Sequence, residues 1–319
     1  MDAAALPFPD RDLLAECALC PRECRAARSA GELGWCRTGA DLSLGAICLH
    51  RGEEPAIGGR HGIANLFFTR CNLCCVHCQN HEISRTRGPI EERETTLREA
   101  LDEVEALLAG GVRHVGFVSA SHAVPQALGL LRALAERRPR PVLVWNSNAY
   151  EKPETLRMLT GLVDVFLPDF KYADGDLAER LSGAPDYPEV AARAIREMAR
   201  QKGTNLLLDD GGLAESGLLV RHLVLPGHVE NSLACLRFLA ADLGPSVPIS
   251  LLAQYEPIPA VAGDPDLGRR LRPEEYEAVV KEAVRLGFFR GYTQSLAEAP
   301  AHYSPAFRSR HPFEEHDRR

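Results

Sequence analysis

No uncharged apolar run in this 319-residue chain approaches the ~18 residues that a membrane-spanning helix needs. The opening stretch, Met1 to Asp12, is acidic and has no signal-like apolar core, so the expected compartment is the cytoplasm. Positive charge is scarce as well. Thirty-seven Lys and Arg face 44 Asp and Glu, a net charge of −7, which excludes a broad basic face as the main design. Neither a membrane nor a nucleic acid is therefore an expected partner. No G-x-G-x-x-G follows a candidate strand, which removes the usual dinucleotide fingerprint. Beyond residue 79 cysteine almost disappears, leaving only Cys235.

What is present reads as an ordinary globular chain, 45% hydrophobic and 25% charged. Its length allows two domains, or one barrel of roughly 250 residues with an appendage, and a core large enough to fold without disulfides. Apolar runs alternate with helical stripes. Candidate strands cover 62–69, 114–119, 141–146, 162–167, 218–225 and 248–255. Between them, Thr96-Leu97-Arg98-Glu99 is a capping box, Asn231 is a helix cap, and Pro273 opens a helix that Gly287 stops. Six such strand–helix units predict a parallel sheet covered by helices, with Rossmann packing and a partial barrel both fitting. No internal repeat is visible. The tail from His302 onward is polar and charged, a surface strap or a disordered end.

Nine of the ten cysteines precede residue 79. In a large chain without a signal segment, such clustering points to metal or redox chemistry rather than a disulfide framework. Cys71, Cys75 and Cys78 form C-x3-C-x2-C, a pattern that chance would produce in about one such sequence in a hundred. It follows the first strand directly, at the end where parallel barrels keep their active sites. Three thiolates from one loop suit a [4Fe–4S] cluster and leave one iron open for chemistry. The other readings are a structural zinc site and a redox pair of Cys75 and Cys78. Cys74, Cys48 and Cys235 read as ordinary thiols. Upstream, Cys17, Cys20, Cys24 and Cys36 are spaced C-x2-C-x3-C-x11-C in a segment with little apolar periodicity. Four soft ligands of that kind predict a second metal centre, either zinc or an auxiliary [4Fe–4S] cluster.

The chain resembles the radical S-adenosylmethionine (SAM) superfamily in its C-x3-C-x2-C after the first strand. It is further similar to an uncharacterised branch related to pyruvate formate-lyase activating enzymes. The residues that carry this are Cys78-Gln79-Asn80-His81-Glu82-Ile83-Ser84, Ser121-His122-Ala123-Val124-Pro125-Gln126, Leu167-Pro168-Asp169-Phe170-Lys171-Tyr172, Val220-Arg221-His222-Leu223-Val224-Leu225-Pro226-Gly227 and Leu252-Ala253-Gln254-Tyr255. The resemblance implies an α/β fold, a partial (β/α)6 TIM-like barrel with a Cys-rich N-terminal extension. On that reading residues 1–60 form the extension, 61–290 the core and 291–319 a tail. It also implies an enzyme that reductively cleaves SAM at the Cys71/Cys75/Cys78 cluster to a 5′-deoxyadenosyl radical, supplied by a low-potential electron donor of ferredoxin or flavodoxin type. Its substrate would be a protein or peptide, as for a glycyl-radical activase. A small-molecule substrate, and a non-catalytic iron–sulfur electron carrier, are the competing readings.

Groups that could position SAM stand at the strand ends. Asp169 and Lys171 share a face if the fourth strand extends that far, and the resemblance places such a D-x-K pair beside SAM, so both are expected to be catalytic and to bind the cofactor. After the second strand many relatives carry Gly-Gly-Glu. This chain has Ser119-Ala120-Ser121-His122 instead, which leaves Ser119, Ser121 and His122 as candidates, with a helix cap at Ser121 as the alternative. Asn146 and Asn148 after the third strand suit ribose or carboxylate, or a plain turn. Arg221 and His222 must point to opposite faces, and Arg221 is the expected functional one. Gln254 closes the sixth strand, where the activating enzymes tend to have a nearby His and this chain has Glu256.

Overall fold

Apolar strands followed by amphipathic helices return the chain repeatedly to one end of a sheet, and the computed structural model has this architecture. It describes residues 10–296, 303, 305–309, 312 and 313. In chain order the elements are β1 Ser43–His50, α1 Pro55–Gly58, β2 Ile63–Phe68, α2 His81–Ser84, β3 Arg93–Glu94, α3 Leu97–Ala109, β4 His114–Val118, α4 Val124–Ala135, β5 Val142–Ser147 and α5 Pro153–Arg157. They continue with β6 Val165–Pro168, α6 Gly175–Ser182, α7 Tyr187–Lys202, β7 Leu206–Leu208, β8 Ala214–Leu218, β9 Val220–Leu223, α8 Val229–Asp242, β10 Ile249–Leu252, α9 Pro273–Arg285 and β11 Gly291–Thr293.

The main sheet has the order β3-β1-β2-β4-β5-β6-β8-β7, with β2, β4, β5, β6 and β8 parallel. A second sheet, β11-β10-β9, is parallel throughout. A single backbone bridge between Asp169 and Arg221 joins the two at the top of β6 and makes one curved, open barrel. The register explains how period two divides core from site. Leu66, Phe117, Trp145, Phe166 and Leu218 lie side by side across five strands and are fully buried against the helices. One residue further on, Phe67, Val118 and Asn146 line the interior cavity. Burying each large side chain of the helix-facing row contributes about 1.5–3 kcal/mol, so Trp145→Ala would cost about 3–5 kcal/mol.

The capping box forms: the Thr96 hydroxyl accepts the Glu99 N–H at 3.2 Å, and Glu99 accepts the Thr96 N–H at 2.8 Å. Other expectations need correction. The strand read across 218–225 is two strands: β8 ends at Leu218, paired with β6, and β9 runs Val220–Leu223, paired with β10. Asn231 does not cap α8, which begins after His228. Its amide instead accepts the Ala173 N–H and donates to the Lys171 carbonyl, both at 3.0 Å, pinning the loop after β6. The sheet also reaches outside residues 61–290, since β1 pairs antiparallel with β2, and β11 pairs parallel with β10. Of the tail from His302 onward, Tyr303 and Phe313 line the interior cavity, and Phe313 stacks on His50 with ring centroids 4.1 Å apart. His302 itself lies outside the described residues.

Candidate active site

Beyond β2 the chain turns tightly. Arg70 and Cys74 both adopt left-handed backbone, at φ 65° and 54°. The Arg70 N–H donates to the Ile83 carbonyl at 2.7 Å, and the Val76 N–H to the Leu181 carbonyl at 2.9 Å. These ties hold Cys71, Cys75 and Cys78 on one wall of a cavity of about 400 Å3. The Cys71 sulfur accepts hydrogen bonds from the Leu73 N–H at 3.3 Å and the Asn148 amide at 3.4 Å. Burial pushes the Cys71 thiol up to about 12 and the Cys78 thiol to about 11, and in both the charge of Cys75 adds to the effect. No three Cys, His, Asp or Glu side chains among the described residues are gathered to grip a single ion as they stand. A four-iron cube holds its thiolates further apart than one ion does, so the fit rests on the donors: three soft thiols on one loop, with N–H groups aimed at sulfur.

A charged network faces them. Lys171 Nζ is 2.7 Å from Asp169 Oδ2, and Arg221 Nε is 3.1 Å from Asp169 Oδ1. Arg221 also donates to Glu53 at 3.1 Å and to the Asn146 side-chain oxygen at 2.6 Å. Glu53 accepts further from the Asn65 amide at 3.1 Å. Burial alone would raise Asp169, but the positive charges of Lys171 and Arg221 outweigh it and hold the carboxyl below its usual range. Burial likewise works against the Lys171 ammonium, and the Asp169 charge more than compensates. The site therefore keeps fixed, opposed charges on a partly buried wall, the arrangement suited to gripping both ends of a zwitterion.

Ser119, Asn146, Asp169, Lys171, Arg221 and Gln254 all line this cavity. His122 does not: it turns into the core, where a ring nitrogen meets the Thr69 carbonyl at 2.8 Å. Ser121 is buried beside it. His222 points into the helix layer, between the Phe170 carbonyl at 2.7 Å and the Ser232 hydroxyl at 2.8 Å. Cys74 sits 3.5 Å from the Thr86 hydroxyl, and Cys48 and Cys235 are core packing. Glu53, Glu54, His77 and Gln294 also line the cavity and were not marked in the sequence. The first two follow an antiparallel strand that lies ahead of the parallel pattern, so no strand-end rule could find them. Glu54 is buried with neither carboxyl oxygen in hydrogen-bond geometry, and burial raises its pKa.

The N-terminal segment packs directly on the cysteine loop. Arg22 donates to the Asn72 carbonyl at 2.9 Å and to the Ser182 carbonyl at 3.0 Å, and its guanidinium lies 3.8 Å from the Trp35 ring centre. Lys152 and Thr155 fix the same segment through the Ala18 and Leu19 carbonyls.

An uncharacterized protein of Methanocaldococcus jannaschii is 29% identical over 284 residues, covering 86% of this chain and 75% of that protein. Among solved structures, a radical SAM methyltransferase from Sphaerobacter thermophilus aligns with 70% of this chain and 63% of its own at 14% identity and a TM-score of 0.49. A domain of a pyruvate-formate lyase-activating enzyme from Bacteroides vulgatus aligns with 52% of this chain and 89% of its own at 15% identity and a TM-score of 0.38. The chain thus spans less than two thirds of the methyltransferase's length. The family model for the radical SAM superfamily matches residues 65–231, just over half the chain, beginning on β2 and taking in the cysteine loop, the Asp169–Lys171 pair and Arg221. The chain belongs to the radical SAM superfamily.

Proposed function

We propose that Cys71, Cys75 and Cys78 hold a [4Fe–4S] cluster, and that the enzyme acts on a protein or peptide in the manner of a glycyl-radical activase. With cluster and SAM bound, one-electron cleavage of SAM supplies a 5′-deoxyadenosyl radical that abstracts a hydrogen atom. Asp169 and Lys171 grip the cofactor's charged ends. Arg221 keeps Asp169 ionised and aimed, and Asn146 and Gln254 offer amide contacts along the wall. Ser119 lines the same wall. A low-potential ferredoxin- or flavodoxin-type donor supplies the electron.

The observation that carries this reading is the single cavity with three thiols on one wall and the Asp169–Lys171–Arg221 network on the other. Its volume of about 400 Å3 lies at the lower end of the ~300–1,000 Å3 that holds one drug-sized ligand. SAM alone is of that size. A substrate that reaches in as a side chain or a short segment fits better than a second whole metabolite.

The test is anaerobic reconstitution and reduction, then mass spectrometry for 5′-deoxyadenosine and methionine, with and without candidate proteins from the same cell. SAM cleavage stimulated by one protein fraction, with a protein-borne radical by electron paramagnetic resonance, is the expected result. Stimulation by a small-molecule fraction only would overturn the substrate class. No response to SAM would leave an electron carrier.

A further inference from the structure

We propose that Cys17, Cys20, Cys24 and Cys36 form a separate tetrathiolate metal site whose negative charge is balanced by the buried guanidinium of Arg28. The four cysteines belong to one small unit: the Cys17 N–H donates to the Ala26 carbonyl and the Arg25 N–H to the Cys17 carbonyl, both at 3.0 Å, which lays Cys17 beside the Cys24 segment, although no three of the thiols are closed on a single ion as they stand. Cys17, Cys20 and Cys36 are buried, Cys24 is half-buried, and all four are free thiols. Position 34 must be glycine for this packing, since a Cβ there would stand 2.3 Å from the Cys24 sulfur.

Arg28 is the independent observation. It is 1% exposed, yet it has no carboxylate partner among the described residues. Its contacts are the Gly39 carbonyl at 2.8 Å, the His122 carbonyl at 2.8 Å and the Cys17 sulfur at 3.6 Å. A guanidinium stays charged at any ordinary pH, and burying it without an anion is costly. Four neutral thiols supply no charge. Four thiolates on a divalent metal, or on a cluster of equal core charge, carry a net −2 and supply it beside Cys17. Formation releases the four thiol protons to solvent.

Backbone conformation points the same way. Glu23 and Arg25, on either side of Cys24, and Arg37, next to Cys36, are non-glycine residues held in left-handed conformation at φ 40°, 56° and 61°. Such residues persist where the surroundings over-determine them. Among the described residues the unit's apolar cluster is Leu14, Cys17, Leu19 and Ala40. Metal bonds supply the restraint that so small a core cannot.

All four ligand positions are taken, so the site has no place for substrate. Because Arg22, between Cys20 and Cys24, grips the Asn72 carbonyl, the site braces the loop that carries Cys71, Cys75 and Cys78.

The test uses full-length protein with Cys71, Cys75 and Cys78 all changed to Ala, reconstituted anaerobically with iron and sulfide or with zinc alone. About one zinc per chain, or about four irons with matching sulfide, is expected, with only sulfur in the first shell by X-ray absorption. Neither metal, or a shell containing nitrogen or oxygen, overturns the site. If the triple variant does not fold, the unaltered protein and Cys20→Ser are compared. Cys20→Ser should lose the zinc, or the iron in excess of four, while keeping the remainder. Equal metal content in the two overturns the proposal. SAM cleavage is not read in either arm, so its failure and the failure of this site are distinguishable.

Discussion

Arg221 meets Asp169 twice: their backbones form the bridge that joins the two sheets, and Arg221 Nε lies 3.1 Å from Asp169 Oδ1. The link that closes the barrel wall and the charge that orients the Asp169–Lys171 pair are therefore one contact. Arg221→Ala would strand Asp169 and Glu53 with too little positive charge. It should lower stability by about 3–5 kcal/mol, read from urea unfolding of the reconstituted protein. A loss under 1 kcal/mol would mean that the network is solvated and replaceable.

Lys171 is predicted to act on SAM rather than on the fold. Lys171→Ala should weaken SAM binding about tenfold to a hundredfold, the worth of one charge-assisted hydrogen bond, while iron content stays unchanged. Equilibrium binding of SAM to the anaerobic protein measures this. Unaltered affinity in both Lys171→Ala and Asp169→Ala would return the pair to a structural salt bridge.

Replacing any one of Cys71, Cys75 or Cys78 by Ala should abolish 5′-deoxyadenosine formation. Cys74→Ser should not, because that thiol is turned toward Thr86. Turnover surviving in Cys75→Ala but lost in the Cys74/Cys75 double variant would show that Cys74 can swing in.

Arg22→Ala should loosen the cysteine loop by removing its hold on the Asn72 and Ser182 carbonyls and its stacking on Trp35. A destabilisation of about 1–3 kcal/mol is expected, with faster amide hydrogen exchange across residues 71–78. Exchange unchanged there would separate the N-terminal unit from the loop.

His222 makes the fold sensitive to mild acid. Burial, helped by the Lys171 charge and opposed by the Phe170 carbonyl, lowers its pKa to about 4, against about 6.5 when unfolded. Between those values the unfolded chain binds the proton and the native chain does not, so stability falls as pH drops from about 6.5 toward 4. The loss attributable to this residue is of order 2 kcal/mol. Unfolding at pH 7.5 and pH 5 should differ less in His222→Gln than in the unaltered protein, and an equal difference would assign the acid sensitivity elsewhere.

The parallel core and the cysteine loop were legible because both are local. Period two and buried apolar runs mark β2, β4, β5 and β6, and C-x3-C-x2-C lies within eight residues. The same alternation places Arg221 and His222 on opposite faces. Glu53, Glu54 and the turning away of His122 were not legible. Each depends on which element the chain packs against far along the sequence, as when Glu53 meets Arg221, 168 positions away, or His122 meets Thr69, 53 positions away. The break between β8 and β9 was hidden for a related reason: Leu218-Leu219-Val220, where it falls, is apolar throughout and does not say which neighbour each half will pair with. Spacing along the chain decides which residue types can share a loop or a face. Only tertiary packing decides which buried charges find partners, because that balance is struck between segments distant in sequence.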